Sequence, residues 1–172
     1  MNLDSPPAPS VCGVDNMSPM LLNEILSPQC TLCQARVTSK KKAIELLCDL
    51  IGREDPTLDP QEIYQAMISR ERLGSTAIGD GIALPHGRVE SDHSVGAIVH
   101  LEEGIDFDAT DDLPVDLLFG LVVPINSTDE HLEILSRLAT MFRDKKFSQA
   151  LRCAEDDQTL YQMIVYYPNN NS

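Results

Sequence analysis

Residues 74–88 read GSTAIGDGIALPHGR, and this stretch carries the strongest signals for both the fold and the chemistry of the chain. Four glycines surround a short apolar run, Ile82–Leu84, and Pro85 fixes the backbone immediately before His86. The residues from Ser75 to Gly81 favour turns and predict a loop. We therefore expect a glycine-rich turn that presents a histidine.

Upstream of this stretch, a short apolar helix is predicted around Met20 to Leu26, and two longer helices follow it. The first follows Ser39, a suitable N-cap, and has apolar residues at helical spacing. Lys40 begins a run of three lysines in its first turn, where cations oppose the helix macrodipole. The second helix begins at residues 59–62, DPQE, with an acidic N-cap and a proline at the first helical position. Gly74 is expected to end it.

Strands and helices also alternate downstream. Strands are predicted at Val95–Leu101, Ile105–Phe107 and Val115–Val123, the last of them buried. Residues 127–130, STDE, open a helix with an apolar stripe, and two short helices are predicted at residues 146–153 and 157–165. The alternation predicts an α/β domain with a central sheet.

The composition limits the possible functions. The chain has 172 residues, of which 42% are hydrophobic, and this suits one domain with a buried core. A formal net charge of -14 argues against binding to nucleic acid or anionic lipid. No apolar run approaches the roughly 20 residues needed to span a bilayer, and the first residues lack the pattern of a secretory signal. We expect a cytoplasmic protein without membrane insertion.

Composition also predicts the domain boundaries. Residues 1–19 are rich in proline and small polar residues and predict a flexible N-terminal tail. Residues 20–167 are predicted to form the single domain, and residues 168–172 a polar C-terminal tail. Five irregularly spaced cysteines do not predict a disulfide framework. Cys30 and Cys33 form a CxxC pair without a second pair, so neither a metal site nor a cofactor is expected.

His86 is the strongest candidate for a reactive side chain. An imidazole with a pKa near ~6.5 is largely neutral and nucleophilic at neutral pH, which suits reversible phosphoryl transfer. Backbone N–H groups at glycines such as Gly87 approach an oxyanion closely, and Ser75 and Thr76 offer hydroxyl donors. Cationic forks for phosphate oxygens are available on Arg70, Arg72 and Arg88. The alternative is a glycine-rich turn with a hydrogen-bonded histidine.

The other histidines are weaker candidates. His131 is predicted in the first turn of a helix, where backbone amides favour anions, although an ordinary surface histidine is the alternative there. His93 lies in a polar turn and is expected to be solvated. His100 lies within a strand and is expected to face outward or to meet a partner on the sheet.

Several stretches together resemble a known family. RERLGST at residues 70–76 and GDGIALPHGR at residues 79–88 are similar to the signature of the fructose/mannitol-type IIA domains of the phosphoenolpyruvate-dependent phosphotransferase system. PVDLLFGLVVP at residues 114–124 and the later pair His131-Leu132 also fit. The resemblance runs from about Met20 to Tyr166 and is closest to the stand-alone, nitrogen-regulatory branch.

The resemblance implies an α/β sandwich with a mixed central sheet between helices. It also implies that His86 is phosphorylated, that His131 helps to position the phosphoryl group and that Arg70 neutralises its charge. Ser75 and Thr76 match the loop that closes on the site. The implied donor is an HPr-like carrier protein, called NPr in the nitrogen branch, and the implied targets are regulated transport or signalling proteins.

Other functions remain open at this point. A sugar-specific IIA component would use the same His86 and pass the phosphoryl group to a IIB domain. A binding module that signals without phosphate would not need His86. A phosphohistidine carrier is favoured over a free-standing metabolic enzyme, and a metal-dependent enzyme ranks last because no ligand cluster has the required spacing.

Overall fold

The computed structural model describes residues 22–127 and 129–170 of the chain. Six strands in these residues form one sheet: β1 (Thr31–Ala35), β2 (Ala77–Gly79), β3 (Ile82–Ala83), β4 (His86–Val89), β5 (Val95–Ile105) and β6 (Val115–Pro124). Their order is β1-β5-β6-β3-β2, and β4 pairs with β6 beyond the end of β3. The pairs β1/β5, β3/β6 and β4/β6 are parallel, whereas β5/β6 and β2/β3 are antiparallel. The sheet is therefore mixed.

Helices flank this sheet. They are α1 (Lys40–Glu54), α2 (Pro60–Glu71), α3 (Asp129–Arg143), α4 (Lys145–Arg152) and α5 (Asp157–Asn170), with a 3-10 turn at Pro28–Cys30 and helical backbone at residues 22–25. α1 packs on β5, α2 on β4 and α5 on β1. The predicted α/β sandwich with a mixed central sheet is confirmed.

The predicted helix starts at Ser39 and Asp59 are confirmed by their capping hydrogen bonds. The Ser39 hydroxyl oxygen accepts from the Lys42 N–H at 3.1 Å, and the Asp59 carboxylate accepts from the Gln61 N–H at 3.0 Å. Each cap satisfies one N–H group that has no partner within the first turn.

Three boundaries differ from the predictions. The predicted strand at Ile105–Phe107 is the end of β5, which stops at Ile105. The predicted turn at His86 is strand β4, paired in parallel with β6. α5 continues through Asn170, so residues 168–170 of the predicted C-terminal tail are helical. The predicted N-terminal tail, residues 1–19, lies outside the described residues.

The core is built around β6. Every residue of this strand from Leu117 to Val123 is buried, and the rings of Phe119 and Phe142 meet at 6.2 Å between centroids. β3 and β4 follow one another along the same edge of β6, with Ile82 opposite Leu117 and His86 opposite Leu121. The buried strand β6 thus fixes the position of His86. None of the helices in the described ranges is both long and apolar enough to cross a membrane.

Candidate functional site

His86 begins β4 at an interruption of the strand pairing. On either side of the interruption, β6 donates backbone hydrogen bonds to the carbonyls of Gly81 and Pro85. Leu84, between them, turns its N–H away and donates to the Thr76 carbonyl at 3.0 Å. The loop before β2 and the start of β4 are therefore joined next to the histidine.

The hydrogen bond of the His86 ring identifies its tautomer. Nδ1 lies 2.9 Å from the carbonyl oxygen of Leu84. A carbonyl oxygen only accepts, so Nδ1 carries the proton. In the neutral ring, the lone pair therefore lies on Nε2, which makes Nε2 the nucleophilic atom.

Burial lowers the pKa of His86 below its ordinary value. The hydrogen bond to Leu84 opposes this shift, the positive charge of Arg70 and the neighbouring His131 ring add to it, and the negative charge of Glu71 opposes it. The ring is consequently neutral at pH 7, as a nucleophile must be.

One cavity of about 450 Å³ brings five of the predicted residues together. Its lining includes Arg70, His86, Gly87, Arg88 and His131, and no carboxylate among the described residues. The lining is thus cationic in a chain whose formal net charge is -14. Such a pocket favours an anion beside the His86 ring.

His131 lies at this cavity, in the first turn of α3. Its exposed fraction is 8%, so the alternative of an ordinary surface histidine is wrong. Nε2 of His131 lies 3.2 Å from Nη2 of Arg88. Because a guanidinium only donates, Nε2 of His131 is the acceptor. His131 therefore holds the Arg88 side chain at the rim of the cavity.

Ser75 and Thr76 line a second cavity of about 340 Å³, and Arg70 and His86 also belong to its lining. The Ser75 hydroxyl donates to the Phe107 carbonyl at 2.8 Å, and the Thr76 hydroxyl donates to the Glu71 carboxylate. A hydroxyl has only one proton to donate. In this conformation, both side chains therefore fix the loop, and neither proton is available to a phosphate oxygen.

Gly87 brings strand β4 close to helix α2. A Cβ atom at this position would lie 2.7 Å from the Cβ of Ala66, shorter than any ordinary carbon–carbon contact. One turn further along α2 lies Arg70, whose Nη1 donates to the Gly74 carbonyl at 2.8 Å. The close approach sets the distance between Arg70 and the strand that carries His86.

Two of the remaining sequence candidates lie away from both cavities. Arg72 is exposed, and His93 is exposed as expected, with Nε2 3.5 Å from the Asp55 carboxylate. His100, by contrast, does not face outward. It is 8% exposed and points its Nε2 toward Asp116 at 4.0 Å, because the face of β5 that it occupies is covered.

The CxxC residues do not form a joint site. The Cys30 thiol donates to the Leu50 carbonyl at 3.3 Å, whereas the Cys33 thiol donates to the Ala154 carbonyl at 3.0 Å. Over residues 22–127 and 129–170, no group of three or more His, Cys, Asp or Glu side chains could hold a metal ion.

Sequence reasoning missed Glu71 and its partner Lys40. Glu71 is 8% exposed and accepts hydrogen bonds from Thr76, and Lys40 Nζ lies 3.0 Å from its carboxylate. The available signal was their charge: a lysine at the start of one helix and a glutamate at the end of another both oppose the helix macrodipole.

The fold and this site define a class of protein. The family described as phosphoenolpyruvate-dependent sugar phosphotransferase system, EIIA 2, matches residues 24–166. The chain belongs to this family.

Within the family, the chain is similar to nitrogen regulatory proteins. It is 42% identical over 160 residues to the nitrogen regulatory protein of Klebsiella oxytoca, covering 92% of this chain and 98% of that protein. It is 43% identical over 153 residues to the nitrogen regulatory protein of Escherichia coli (strain K12), covering 88% and 93%. The crystal structure of nitrogen regulatory protein IIA-Ntr from Neisseria meningitidis matches with a TM-score of 0.78 at 37% identity, covering 83% and 98%.

Proposed function

We propose that the chain is a nitrogen-branch phosphocarrier that accepts a phosphoryl group on His86 from the HPr-like carrier NPr and regulates partner proteins according to its phosphorylation state. The observation that carries the proposal is the cationic cavity in which His86 meets Arg70, Arg88 and His131. The similarity to nitrogen regulatory proteins supports the choice of branch.

The geometry supports transfer to Nε2 of His86. Its lone pair attacks the phosphorus of the carrier's phosphohistidine, the nitrogen–phosphorus bond of the carrier breaks, and the electron pair returns to the carrier's imidazole. The proton stays on Nδ1, which donates it in a hydrogen bond to the Leu84 carbonyl oxygen, so His86 loses no proton in the step. Arg70 and Arg88 neutralise the charge of the phosphoryl oxygens, and His131 holds Arg88.

The surface beside the site is suited to contact with another protein. Leu132 lines both cavities and is 59% exposed, and Leu73, in the turn after α2, is 83% exposed. Arginine is enriched in protein interfaces, and the exposed leucines offer the carrier an apolar contact beside His86.

Intact-mass spectrometry tests the proposal. The protein is incubated with phosphoenolpyruvate, the general phosphotransferase enzyme and NPr or HPr, and wild type is compared with His86→Ala. We expect an acid-labile gain of one phosphoryl group in wild type and none in the variant. His93→Ala is the matched control, because His93 is exposed and lines neither cavity. No gain in wild type with either carrier would refute the carrier function.

A second step separates the two branches. The phosphorylated protein is mixed with fructose- or mannitol-type IIB domains, and the loss of phosphate from His86 is followed. Retention of the phosphoryl group supports the nitrogen-regulatory branch, whereas rapid transfer to a IIB domain supports the sugar-specific alternative.

A further inference from the structure

A buried carboxylate lies directly behind the loop beside His86. Glu71 ends α2, and its side chain is 4% exposed. The backbone N–H of Thr76 lies 3.3 Å and 3.2 Å from its two oxygens, and the Thr76 hydroxyl donates to the second of them. Glu71 thus occupies both hydrogen-bond donors that Thr76 could offer to an anion.

Lys40 ties this carboxylate to a third part of the chain. Its ammonium lies 3.0 Å from Glu71, 3.3 Å from Asp108 and 4.7 Å from the centroid of the Phe107 ring. The carbonyl of Phe107 in turn accepts the hydroxyl proton of Ser75. Thr76 is therefore held by Glu71 itself, and Ser75 is held by Phe107, whose ring lies against Lys40.

The pair also bears on the reacting histidine. Thr76 supplies the carbonyl that accepts the N–H of Leu84, and the carbonyl of Leu84 fixes the proton on Nδ1 of His86. A continuous path of hydrogen bonds thus runs from Glu71 through Thr76 and Leu84 to the His86 ring. Displacement of Thr76 would loosen the ring orientation on which attack by Nε2 depends.

We propose that Glu71, paired with Lys40, is a positioning residue that holds residues 75 and 76 and, through Leu84, the ring of His86 for phosphoryl transfer. This inference rests on the proposed function. In this proposal, Arg70 and Arg88 contact the phosphoryl group, whereas Thr76 holds the backbone beside His86 in place.

Glu71→Gln tests the proposal in the full chain. The amide oxygen still accepts one hydrogen bond from Thr76, but the amide NH₂ meets the donors of Thr76 and Lys40 and repels them. We expect the rate of phosphoryl transfer at saturating carrier to fall by about tenfold to a hundredfold, since a misplacement of about 1 Å costs that much. The half-saturating carrier concentration should stay unchanged, because the exposed docking residues are untouched.

Glu62→Gln is the matched control, since it removes the same charge from an exposed position in the first turn of the same helix. It should transfer at the wild-type rate. A wild-type rate in Glu71→Gln, or an equal loss in Glu62→Gln, would overturn the proposal.

The double variant Glu71→Gln/Lys40→Met separates positioning from general loss of structure. It removes the ammonium that the glutamine cannot satisfy, while the amide oxygen still accepts from Thr76. We expect it to recover most of the transfer rate that Glu71→Gln loses. A double variant as slow as the single one would show that Lys40 has no part in the positioning.

An NMR titration of the His86 ring measures the effect of Glu71 on this ring without any carrier protein. The charged or titratable groups that face the ring are Arg70, His131 and Glu71, and the negative charge of Glu71 raises the pKa of His86. Glu71→Gln should therefore lower the His86 pKa further and speed hydrogen exchange of the Thr76 amide. If wild type takes up no phosphoryl group, the proposed function fails, and these two readouts still decide whether Glu71 positions the loop and the ring.

Discussion

Gly87→Ala tests whether the close approach of β4 to α2 sets the geometry of the site. The added Cβ atom would lie 2.7 Å from the Cβ of Ala66 and 2.9 Å from its carbonyl carbon. Carbon atoms pack at about 3.5–4.0 Å, so the helix must move away from the strand by about 1 Å. Overpacking of this kind costs about 1–3 kcal/mol of stability.

The same displacement reaches the two residues that are proposed to act in phosphoryl transfer. Arg70 is one turn beyond Ala66 on α2, and His86 precedes Gly87 on β4. A misplacement of about 1 Å between catalytic groups lowers a rate by about a hundredfold. We expect this loss in phosphoryl transfer to His86, measured by rapid quenching with phosphorylated carrier, beside an unfolding free energy in urea that is about 1–3 kcal/mol lower.

Gly104→Ala is a control with a similar clash elsewhere. Its Cβ atom would lie 2.9 Å from the Cβ of Pro114, and neither residue lines a cavity beside His86. It should lose stability and keep the wild-type transfer rate. If Gly87→Ala transferred at the wild-type rate despite lower stability, the contact between β4 and α2 would not position Arg70, and the reasoning would be refuted.

Three further predictions concern the rest of the molecule. Burial lowers the pKa of His86 in the folded chain below its ordinary value of 6.5. As the pH falls below about 6.5, the unfolded chain therefore binds more protons than the folded chain. The free energy of unfolding is thus highest above about pH 6.5 and decreases as the pH falls through the folded-state pKa. In urea titrations at pH 7.5 and 5.5, His86→Gln should therefore lose less stability than wild type on acidification, and an equal loss would contradict the shift. Burial raises the pKa of Cys48 to about 12 and that of Cys30 to about 11, whereas Cys153 is exposed. With iodoacetamide at pH 8, peptide mapping should find Cys153 labelled in the native protein and Cys30 and Cys48 labelled only after unfolding; native labelling of Cys48 would count against this burial. Arg152 donates to both oxygens of Asp116 at 2.9 Å and 3.0 Å and to the Asp80 carbonyl at 2.7 Å. Arg152→Met should lower the unfolding free energy by about 1–3 kcal/mol and leave phosphoryl transfer unchanged, and a slower transfer would link this cluster to the site.

The sequence predicts the helices well because their starts are encoded locally. Ser39 and Asp59 cap helices through side-chain oxygens that reach N–H groups only two or three residues away. Such signals need no knowledge of the rest of the fold. The buried strand β6 is also predictable, because its unbroken apolar run fits a strand covered on both faces.

β4 and the burial of two histidines could not be predicted in this way. β4 has four residues, too few for a periodic signal, and it is a strand only because β6, more than thirty residues further on, pairs with it. The burial of His100 and His131 depends equally on elements that are distant in sequence. Propensity cannot supply such contacts, and this is why His131 was indistinguishable from a surface histidine before the fold was known.

Glu71 and Lys40 show how a local conflict in a sequence can indicate a site. A glutamate at the end of a helix interacts unfavourably with the macrodipole, and so does a lysine at the start of a helix. Each lowers the stability of its helix by about 0.3–1 kcal/mol. The partner of each charge lies outside its own helix. In the folded chain the two charges lie 3.0 Å apart behind the loop beside His86, where Thr76 completes the contacts of the carboxylate. Because sequences are otherwise locally consistent, two opposite violations that become partners favour a functional explanation over chance.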